Sequence, residues 1–179
     1  MIQLRDKERS DREVIAAARL AMQITAGSEM KFIVNDRPDI AAAVSADGVH
    51  VGQDDLCVAD ARRVVGPDSL IGVSTHSIDQ ARQAVLDGAD YIGVGPVFPS
   101  NTKHFEEFVG LELVRQVADE ISIPAFAIGG ISHEKLNELF TAGCSRVAVS
   151  TALWHAEDPK AATEAFRERV RTLRSVDQS

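Results

Sequence analysis

The sequence predicts an α/β fold of the TIM-type (β/α)8 barrel, with the first β/α unit lacking at the N-terminus. Three observations lead to this prediction. Short apolar runs rich in β-branched residues alternate with amphipathic stretches of helical length. A turn of small residues recurs between helices and strands, and polar residues gather where the predicted strands end. Such alternation is typical of βαβ units with parallel strands.

The predicted elements follow one another along the whole chain. The strands are expected at Ile2–Leu4, Lys31–Val34, Gly48–Val51, Leu70–Val73, Tyr91–Val94, Ala125–Ile128 and Arg146–Val149. The helices are expected at Asp11–Thr25, Asp39–Val44, Val58–Val65, Ile78–Leu86, Leu111–Glu120, His133–Phe140 and Pro159–Leu173. Start signals support several helices, because Ser77, Ser132 and Asp158 are residues that cap free backbone N–H groups.

A similar short sequence ends three of the helices and opens the next strand. It reads Ser45-Ala46-Asp47-Gly48-Val49, then Gly88-Ala89-Asp90-Tyr91-Ile92, then Gly143-Cys144-Ser145-Arg146-Val147. The small residue at the first position allows the helix to stop and the chain to turn tightly into the sheet. The uneven spacing of the three copies disfavours a solenoid.

Seven β/α units fit into the 179 residues. A closed barrel of eight units usually takes about 250 residues, so the count suggests a barrel short of one unit. We therefore expect one domain over residues 1–179. An open doubly wound sheet is an alternative, because it shows the same alternation of strands and helices.

Bulk composition excludes several functional classes. The formal net charge of −8 argues against non-specific binding to nucleic acid, which requires a basic face. No apolar run approaches the roughly 20 residues of a membrane span. The two cysteines, Cys57 and Cys144, lack C-x-x-C spacing, so we expect a cytoplasmic protein without a disulfide framework. Exposed strand edges of an incomplete barrel would favour a homo-oligomer.

Polar residues at the ends of the first three strands suggest a cation-assisted anion site. Gln3, Arg5 and Lys7 alternate and are expected to share one face, although an exposed edge strand could carry them for solubility alone. Asp36 and Asp55 follow the second and third strands, where such residues often serve only as turn formers or caps. Together they would suit Mg²⁺, which binds one or two carboxylates, water and substrate phosphates.

The ends of the later strands suggest a second anion site. The longest irregular segment begins after the fifth strand and contains Ser100-Asn101-Thr102-Lys103, whose hydroxyls and ammonium group could surround an anion. A solvent-exposed lysine on a loop is the ordinary alternative. Gly129-Gly130 and Ser150-Thr151 follow the last two strands, which is where many barrels bind phosphate.

At this point the sequence resembles the thiamin phosphate synthase family. The resemblance is carried, in order, by Gln3–Lys7, Asn35–Arg37, Asp47–Asp55, Gly72–His76, Asp90–Phe98, Ser100–Lys103 and Ala127–Ile131. These stretches cover essentially the whole chain. One of them would be weak, but seven in order are specific.

The resemblance implies a role for each matching residue. The pyrimidine diphosphate would be held by Gln3, Arg5, Lys7, Asn35, Ser74 and Lys103. Of these, Arg5, Lys7 and Lys103 would stabilise the leaving diphosphate and so act in catalysis. Asp36 and Asp55 would bind Mg²⁺. The thiazole phosphate would be held by Ser100, Asn101, Thr102, Gly130, Ser150 and Thr151.

The implied activity is a transfer that joins 4-amino-5-hydroxymethyl-2-methylpyrimidine diphosphate to a thiazole phosphate and releases diphosphate. Two alternatives remain. A thiazole tautomerase-like isomerase would share the fold but would lack the paired aspartates and the diphosphate-binding cations. A non-catalytic protein that binds phosphate ligands would result if the missing first unit abolished activity.

Overall fold

The computed structural model describes residues 1–99 and 108–177, with side chains described through Ser175. Its strands are β1 Ile2–Leu4, β2 Phe32–Asn35, β3 Gly48–Val51, β4 Leu70–Thr75, β5 Tyr91–Val94, β6 Ala125–Ile128 and β7 Val147–Ala148. Its α-helices are α1 Asp11–Thr25, α2 Pro38–Val44, α3 Val58–Val65, α4 Ile78–Leu86, α5 Gly110–Glu120, α6 Leu136–Thr141, α7 Thr151–Trp154 and α8 Pro159–Asp177.

The seven strands are neighbours in chain order from β1 to β7, and the described pairings are parallel. This confirms the predicted α/β class with parallel strands. A doubly wound sheet would contain a point where the strand order reverses. The order of the described strands contains no such reversal, so it favours the barrel-type prediction over the open-sheet alternative.

Backbone contacts divide the chain into two compact units. The first comprises Met1–Ser74 and Ala84–Tyr91, and the second comprises Thr75–Gln83 and the described part of Ile92–Ser179. The expectation of one domain over residues 1–179 stays a prediction. Among the described residues, no helix has the length and apolar character needed to cross a membrane.

The core of the first unit lies on β2 and β3. Phe32, Ile33 and Val34 of β2 are all buried, and so is every residue of β3. Strands covered on both faces read as continuous apolar runs rather than as alternating ones, as these do. They hold Asn35, the last residue of β2, and Asp36, which follows it, on a rigid support.

The second unit is built on β5, β6 and β7, packed with α5 and α6. Ile92 of β5 and Leu136 and Leu139 of α6 are fully buried. The predicted helix at His133–Phe140 begins instead as a 3₁₀ turn at His133–Lys135, followed by α6. The predicted strand at Arg146–Val149 shortens to two residues, and its burial is only partial.

Candidate active site

The first unit gathers half of the predicted site residues at one edge. Because β1 to β4 run parallel, the segments that follow them leave the sheet on the same side. The predicted residues found there are Gln3, Arg5, Lys7, Asn35, Asp36, Asp55 and Ser74.

A cluster of two carboxylates and one lysine lies at the centre of this edge. The Lys7 Nζ is 2.7 Å from Asp36 Oδ2, and the Asp36 carboxyl is also within hydrogen-bonding reach of Asp55. Burial of Asp36 acts to raise its pKa. The hydrogen bond from Lys7 and the side-chain contact with Asp55, with the charges of Lys7 and Arg5, outweigh that effect, so the Asp36 pKa lies below its ordinary value.

The route by which Lys7 reaches this cluster differs from the predicted one. We expected Gln3, Arg5 and Lys7 to share one face of a strand, but β1 ends at Leu4. Arg5 and Lys7 therefore belong to the segment after the strand, where strand alternation no longer sets the direction of a side chain. Lys7 contacts Asp36 because its long side chain extends from this segment.

Asp55 is fixed by the turn that follows β3. Its Oδ2 accepts a hydrogen bond of 2.7 Å from the backbone N–H of Gly52. In the same turn, Gln53 Nε2 donates to the backbone oxygen of Ser74 over 2.6 Å, which ties the end of β4 to this segment. Gln53 lies within the resembling stretch Asp47–Asp55, but nothing in the sequence alone indicates this contact.

His50 and Tyr91 form a buried polar pair beneath the edge. His50 is 8% exposed and Tyr91 is 5% exposed. The His50 Nδ1 lies 3.1 Å from Tyr91 Oη, and its Nε2 lies 2.9 Å from Ser74 Oγ. Burial lowers the His50 pKa to about 4 despite the opposing charge of Asp36, so the ring is neutral near pH 7. Burial, followed by the charge of Asp90, raises the Tyr91 pKa, against a hydrogen bond from Gln3.

His50 lies in the fully buried strand β3, so it is a packed residue rather than an exposed one. The role of Tyr91 was missed. One signal could have found it, since Tyr91 is the single tyrosine of the chain and lies on a strand that otherwise reads as apolar. A buried phenol requires a hydrogen-bond partner.

The second unit holds the predicted phosphate-binding glycine and hydroxyl residues. β6 and β7 pair in parallel with Ile128 opposite Ala148, so Gly130 and Ser150 follow neighbouring strands at one edge. Gly130 has a φ of 62°, and a Cβ there would collide with the carbonyl oxygens of Phe98 and Pro99. Glycine is therefore required at position 130, because the backbone of Phe98 and Pro99 passes too close to leave room for a side chain. Ser150 precedes Thr151, the first residue of α7, and its carbonyl accepts from the N–H of Leu153 over 2.9 Å.

Part of the predicted site lies outside the described residues. This applies to Ser100, Asn101, Thr102 and Lys103.

The second unit also contains a cavity of about 190 Å³. It is lined by apolar residues of α5 and β6, including Val117, Ala125 and Ala127, and by Cys144 and Arg146 near the start of β7. None of the described site residues lines this cavity.

Comparison with known proteins agrees with this arrangement. Residues 1–153 match the sequence model of a family described as thiamine monophosphate synthase. The chain belongs to the thiamine monophosphate synthase family. It is 49% identical over 170 residues to the thiamine-phosphate synthase of Gloeobacter violaceus, covering 95% of this chain and 50% of that protein. It is 46% identical over 167 residues to the thiamine-phosphate synthase of Shouchella clausii, covering 93% of this chain and 80% of that protein.

A solved structure gives the same assignment. The chain is similar to thiamine phosphate pyrophosphorylase from Pyrococcus furiosus, with a TM-score of 0.87 and 36% identity over 96% of this chain and 82% of that one. This similarity confirms the barrel-type fold class predicted from the sequence. The similarities to thiamine-phosphate synthases support the synthase prediction and do not favour the isomerase or the non-catalytic alternative.

Proposed function

We propose that this chain is a magnesium-dependent thiamin phosphate synthase. In the proposed reaction the C–O bond between the pyrimidine methylene and the diphosphate breaks, and diphosphate leaves with the electron pair. The thiazole nitrogen of the second substrate then forms a C–N bond to the methylene carbon. The chain spans about half the length of the Gloeobacter violaceus relative. The activity named for that whole protein is therefore a proposal for this chain.

The observation that supports this proposal best is the cluster of Lys7, Asp36 and Asp55. Two carboxylates within hydrogen-bonding reach repel each other unless a proton or a cation lies beside them. The ion pair from Lys7 to Asp36 provides one such positive charge at 2.7 Å. A site that concentrates opposite charges in this way suits a diphosphate that leaves together with a divalent cation.

The donor set of this cluster is suitable for Mg²⁺. In the described part of the chain, no group of three or more histidine, cysteine and acidic side chains could hold a metal ion. A site with only Asp36 and Asp55 would leave positions for water and substrate oxygens, and that is the coordination Mg²⁺ prefers. When bound there, Mg²⁺ would supply positive charge next to the departing diphosphate.

Residues of the chain would supply the remaining stabilisation. Arg5 and Lys7 are exposed at the same edge and would neutralise the diphosphate as its charge develops, together with Lys103. Gln3, Asn35 and Ser74 would orient the pyrimidine, which carries the positive charge left on the methylene carbon. Gly130, Ser150 and Thr151, with Ser100, Asn101 and Thr102, would hold the thiazole phosphate in position for attack.

A direct assay with metal removal tests the proposal. The purified chain is mixed with both substrates and Mg²⁺, and thiamin phosphate is measured. We expect product formation that stops when EDTA removes the metal. Asp36→Asn and Asp55→Asn keep the size of each side chain but remove its charge, so each is expected to lower turnover about 100-fold at limiting Mg²⁺.

Asp54→Asn is the matched control, because Asp54 is the exposed neighbour of Asp55 and belongs to no predicted site. It should turn over like the unchanged chain. An unaltered magnesium dependence in both Asp36→Asn and Asp55→Asn would exclude the ligand assignment. A chain that binds thiazole phosphate but makes no product with Mg²⁺ present would point to the non-catalytic alternative.

A cytoplasmic location and a homo-oligomer are proposed as well. Both cysteines are free, Cys57 on the surface and Cys144 in the interior, which agrees with a reducing setting. Light scattering after size-exclusion chromatography would give the oligomeric state, and a mass of 19.3 kDa would exclude the oligomer.

A further inference from the structure

A continuous row of hydrogen bonds links four side chains of the first unit. Gln3 bonds to the phenol of Tyr91, whose Oη lies 3.1 Å from His50 Nδ1. The other ring nitrogen, Nε2, lies 2.9 Å from Ser74 Oγ. The two ends of this row are Gln3 at β1 and Ser74 on β4, and both are assigned to the pyrimidine diphosphate in the proposed function.

The middle of the row is buried, so its polar atoms depend on one another. A neutral imidazole has one N–H donor and one acceptor nitrogen, and both are used here. Space for the pair is provided by Gly72 on β4, where a Cβ would come within 2.5 Å of His50 Nδ1 and would collide with the Tyr91 ring. The described part of the chain contains no buried side-chain polar atom without a hydrogen-bond partner.

The direction of the row follows from the chemistry of its two hydroxyl groups. A phenol is a stronger hydrogen-bond donor and a weaker acceptor than an aliphatic hydroxyl, so the Tyr91 O–H donates to the unprotonated His50 Nδ1 over 3.1 Å. The Tyr91 oxygen is then left to accept from the Gln3 amide. His50 must carry its proton on Nε2 and donate it to Ser74 Oγ, and the hydroxyl proton of Ser74 is left for an acceptor on a ligand.

We propose that His50 is a positioning residue that holds Gln3, through Tyr91, and Ser74 in the orientations that bind the pyrimidine substrate. This inference rests on the proposed function for the identity of that substrate. His50 itself would not contact the reacting atoms. With the His50 proton on Nε2, the two ends of the row offer different groups to the substrate. The Gln3 carbonyl can accept a hydrogen bond from it, and the Ser74 hydroxyl can donate one to it.

The tautomer of His50 is the first test, and it needs no substrate. Long-range ¹H–¹⁵N NMR spectra of the free, labelled protein distinguish a protonated from an unprotonated ring nitrogen. We expect His50 to carry its proton on Nε2, and we expect Tyr91→Phe to weaken this preference by removing the donor to Nδ1. A proton on Nδ1 in the unchanged protein would overturn the inference, whether or not the chain makes product.

Two conservative variants separate the two arms of the row. The Ser74 arm is the bond from His50 to Ser74, and the Tyr91 arm is the pair of bonds from His50 through Tyr91 to Gln3. His50→Gln places an amide nitrogen near the position of Nε2, which keeps the donor to Ser74 but loses the acceptor for Tyr91. His50→Asn places an amide oxygen near Nδ1, which keeps the Tyr91 arm and loses the Ser74 arm. Each is expected to raise KM for the pyrimidine diphosphate about tenfold, the effect of losing one buried hydrogen bond. The KM for thiazole phosphate should stay within about twofold.

Double variants with Tyr91→Phe make the test sharper. Tyr91→Phe removes the same arm as His50→Gln, so the pair should raise KM about tenfold, no more than either change alone. Tyr91→Phe combined with His50→Asn removes both arms and should raise KM about a hundredfold. A residue with a purely structural role would not produce this difference between the pairs.

His133→Gln is the control, because His133 is exposed, lies in the second unit and contacts Phe166. Thermal melting of each variant shows whether it is folded before its kinetics are compared. An unchanged KM in folded His50→Gln and Tyr91→Phe, with the unchanged chain active, would overturn the inference alone. Failure of the unchanged chain to make product would instead overturn the proposed function, and the tautomer would still decide the positioning inference.

Discussion

Asp36 occupies a backbone conformation that few residues adopt. Its φ of 60° lies in the left-handed region, and in the described part of the chain only Ser45 shares this property among non-glycine residues. An L side chain in this region crowds its own carbonyl, at a cost of about 1–2 kcal/mol. The Asp36 N–H donates to the His50 carbonyl over 2.7 Å, which holds the residue in place. Backbone strain at a predicted metal ligand indicates that the placement of its carboxylate serves function at the expense of folding stability.

Two substitutions at Asp36 separate the backbone strain from the loss of charge. Asp36→Gly and Asp36→Ala both remove the carboxylate, but only glycine relieves the left-handed conformation. We expect Asp36→Gly to be more stable to urea than Asp36→Ala by about 1 kcal/mol, although both should lack activity.

The same pair of changes at Asp39 serves as the control. Asp39 lies in the first turn of α2, where glycine costs backbone entropy, so Asp39→Gly should be less stable than Asp39→Ala. Equal stability of the two Asp36 variants would contradict the assignment of strain.

At the scale of elements, the three recurring turns share one conformation. Ser45, Gly88 and Gly143 have φ values of 56°, 84° and 86°. In each turn the next residue donates back to the helix, from Ala46 to Ala41, from Ala89 to Ala84 and from Cys144 to Leu139, over 2.9 to 3.0 Å. These bonds satisfy carbonyls that a helix end leaves without partners. The three similar sequences therefore end their helices with the same backbone conformation and the same hydrogen bond.

These turns predict graded effects of substitution. Ser45→Gly should raise the free energy of unfolding by up to about 1 kcal/mol, because serine is strained there. Gly88→Ala should lower it by about 1 kcal/mol through strain alone, since a Cβ at Gly88 meets no atom within 4 Å. Gly143→Ala should cost more, because its Cβ would lie 2.7 Å from the Cβ of Ala118.

Urea denaturation of the three variants measures this order. The reverse order for Gly88→Ala and Gly143→Ala would show that crowding against Ala118 is relieved by movement of α5. A loss of stability in Ser45→Gly would show that the serine side chain contributes more than its backbone strain removes.

Local sequence patterns were sufficient to predict the order and type of the main helices and strands. They predicted the first and last residues of these elements less well. The apolar runs at β2 and β3 and the turns at Ser45 and Gly88 all lie where the sequence predicts them. The strand predicted at Ile2–Leu4 is confirmed, but the alternation expected to continue to Arg5 and Lys7 fails, because the described pairing of β1 with β2 stops at Leu4. No periodicity encodes where a long side chain such as Lys7 will find its partner.

The proximity of the two carboxylates could be predicted from the sequence, but the buried hydrogen bonds beneath them could not. Asp36 and Asp55 were expected together because both follow parallel strands, and the structure brings their carboxyl groups within hydrogen-bonding reach. The bond between His50 and Tyr91 joins residues 41 positions apart. A tyrosine in an apolar strand predicts burial, but the identity of its partner depends on the register of β3, β4 and β5.

At the scale of the whole molecule, burial differs between elements of the two units. In the first unit, β3 is entirely buried and β2 nearly so. In the second unit, α8 is the longest helix of the described chain, but none of its described side chains is buried. Its described contacts include the edge contact of Phe166 with His133 and two bonds of 2.9 and 2.7 Å from Arg174 to the Ser145 carbonyl. Elements with few buried apolar contacts open at lower free energy than core strands.

Hydrogen exchange followed by mass spectrometry should show this difference directly. We expect amides of β3 to exchange at least about 100-fold more slowly than those of α8, because α8 can open while β3 stays closed. Arg174→Gln removes both bonds to Ser145, so it should speed exchange in α8 and near the start of β7 but leave β3 unchanged. Arg171→Gln is the matched control, since among the described residues Arg171 makes only a loose ion pair, with Glu168 at 3.9 Å. Exchange in α8 as slow as in β3, or an equal response to both substitutions, would mean that α8 opens only when the core does.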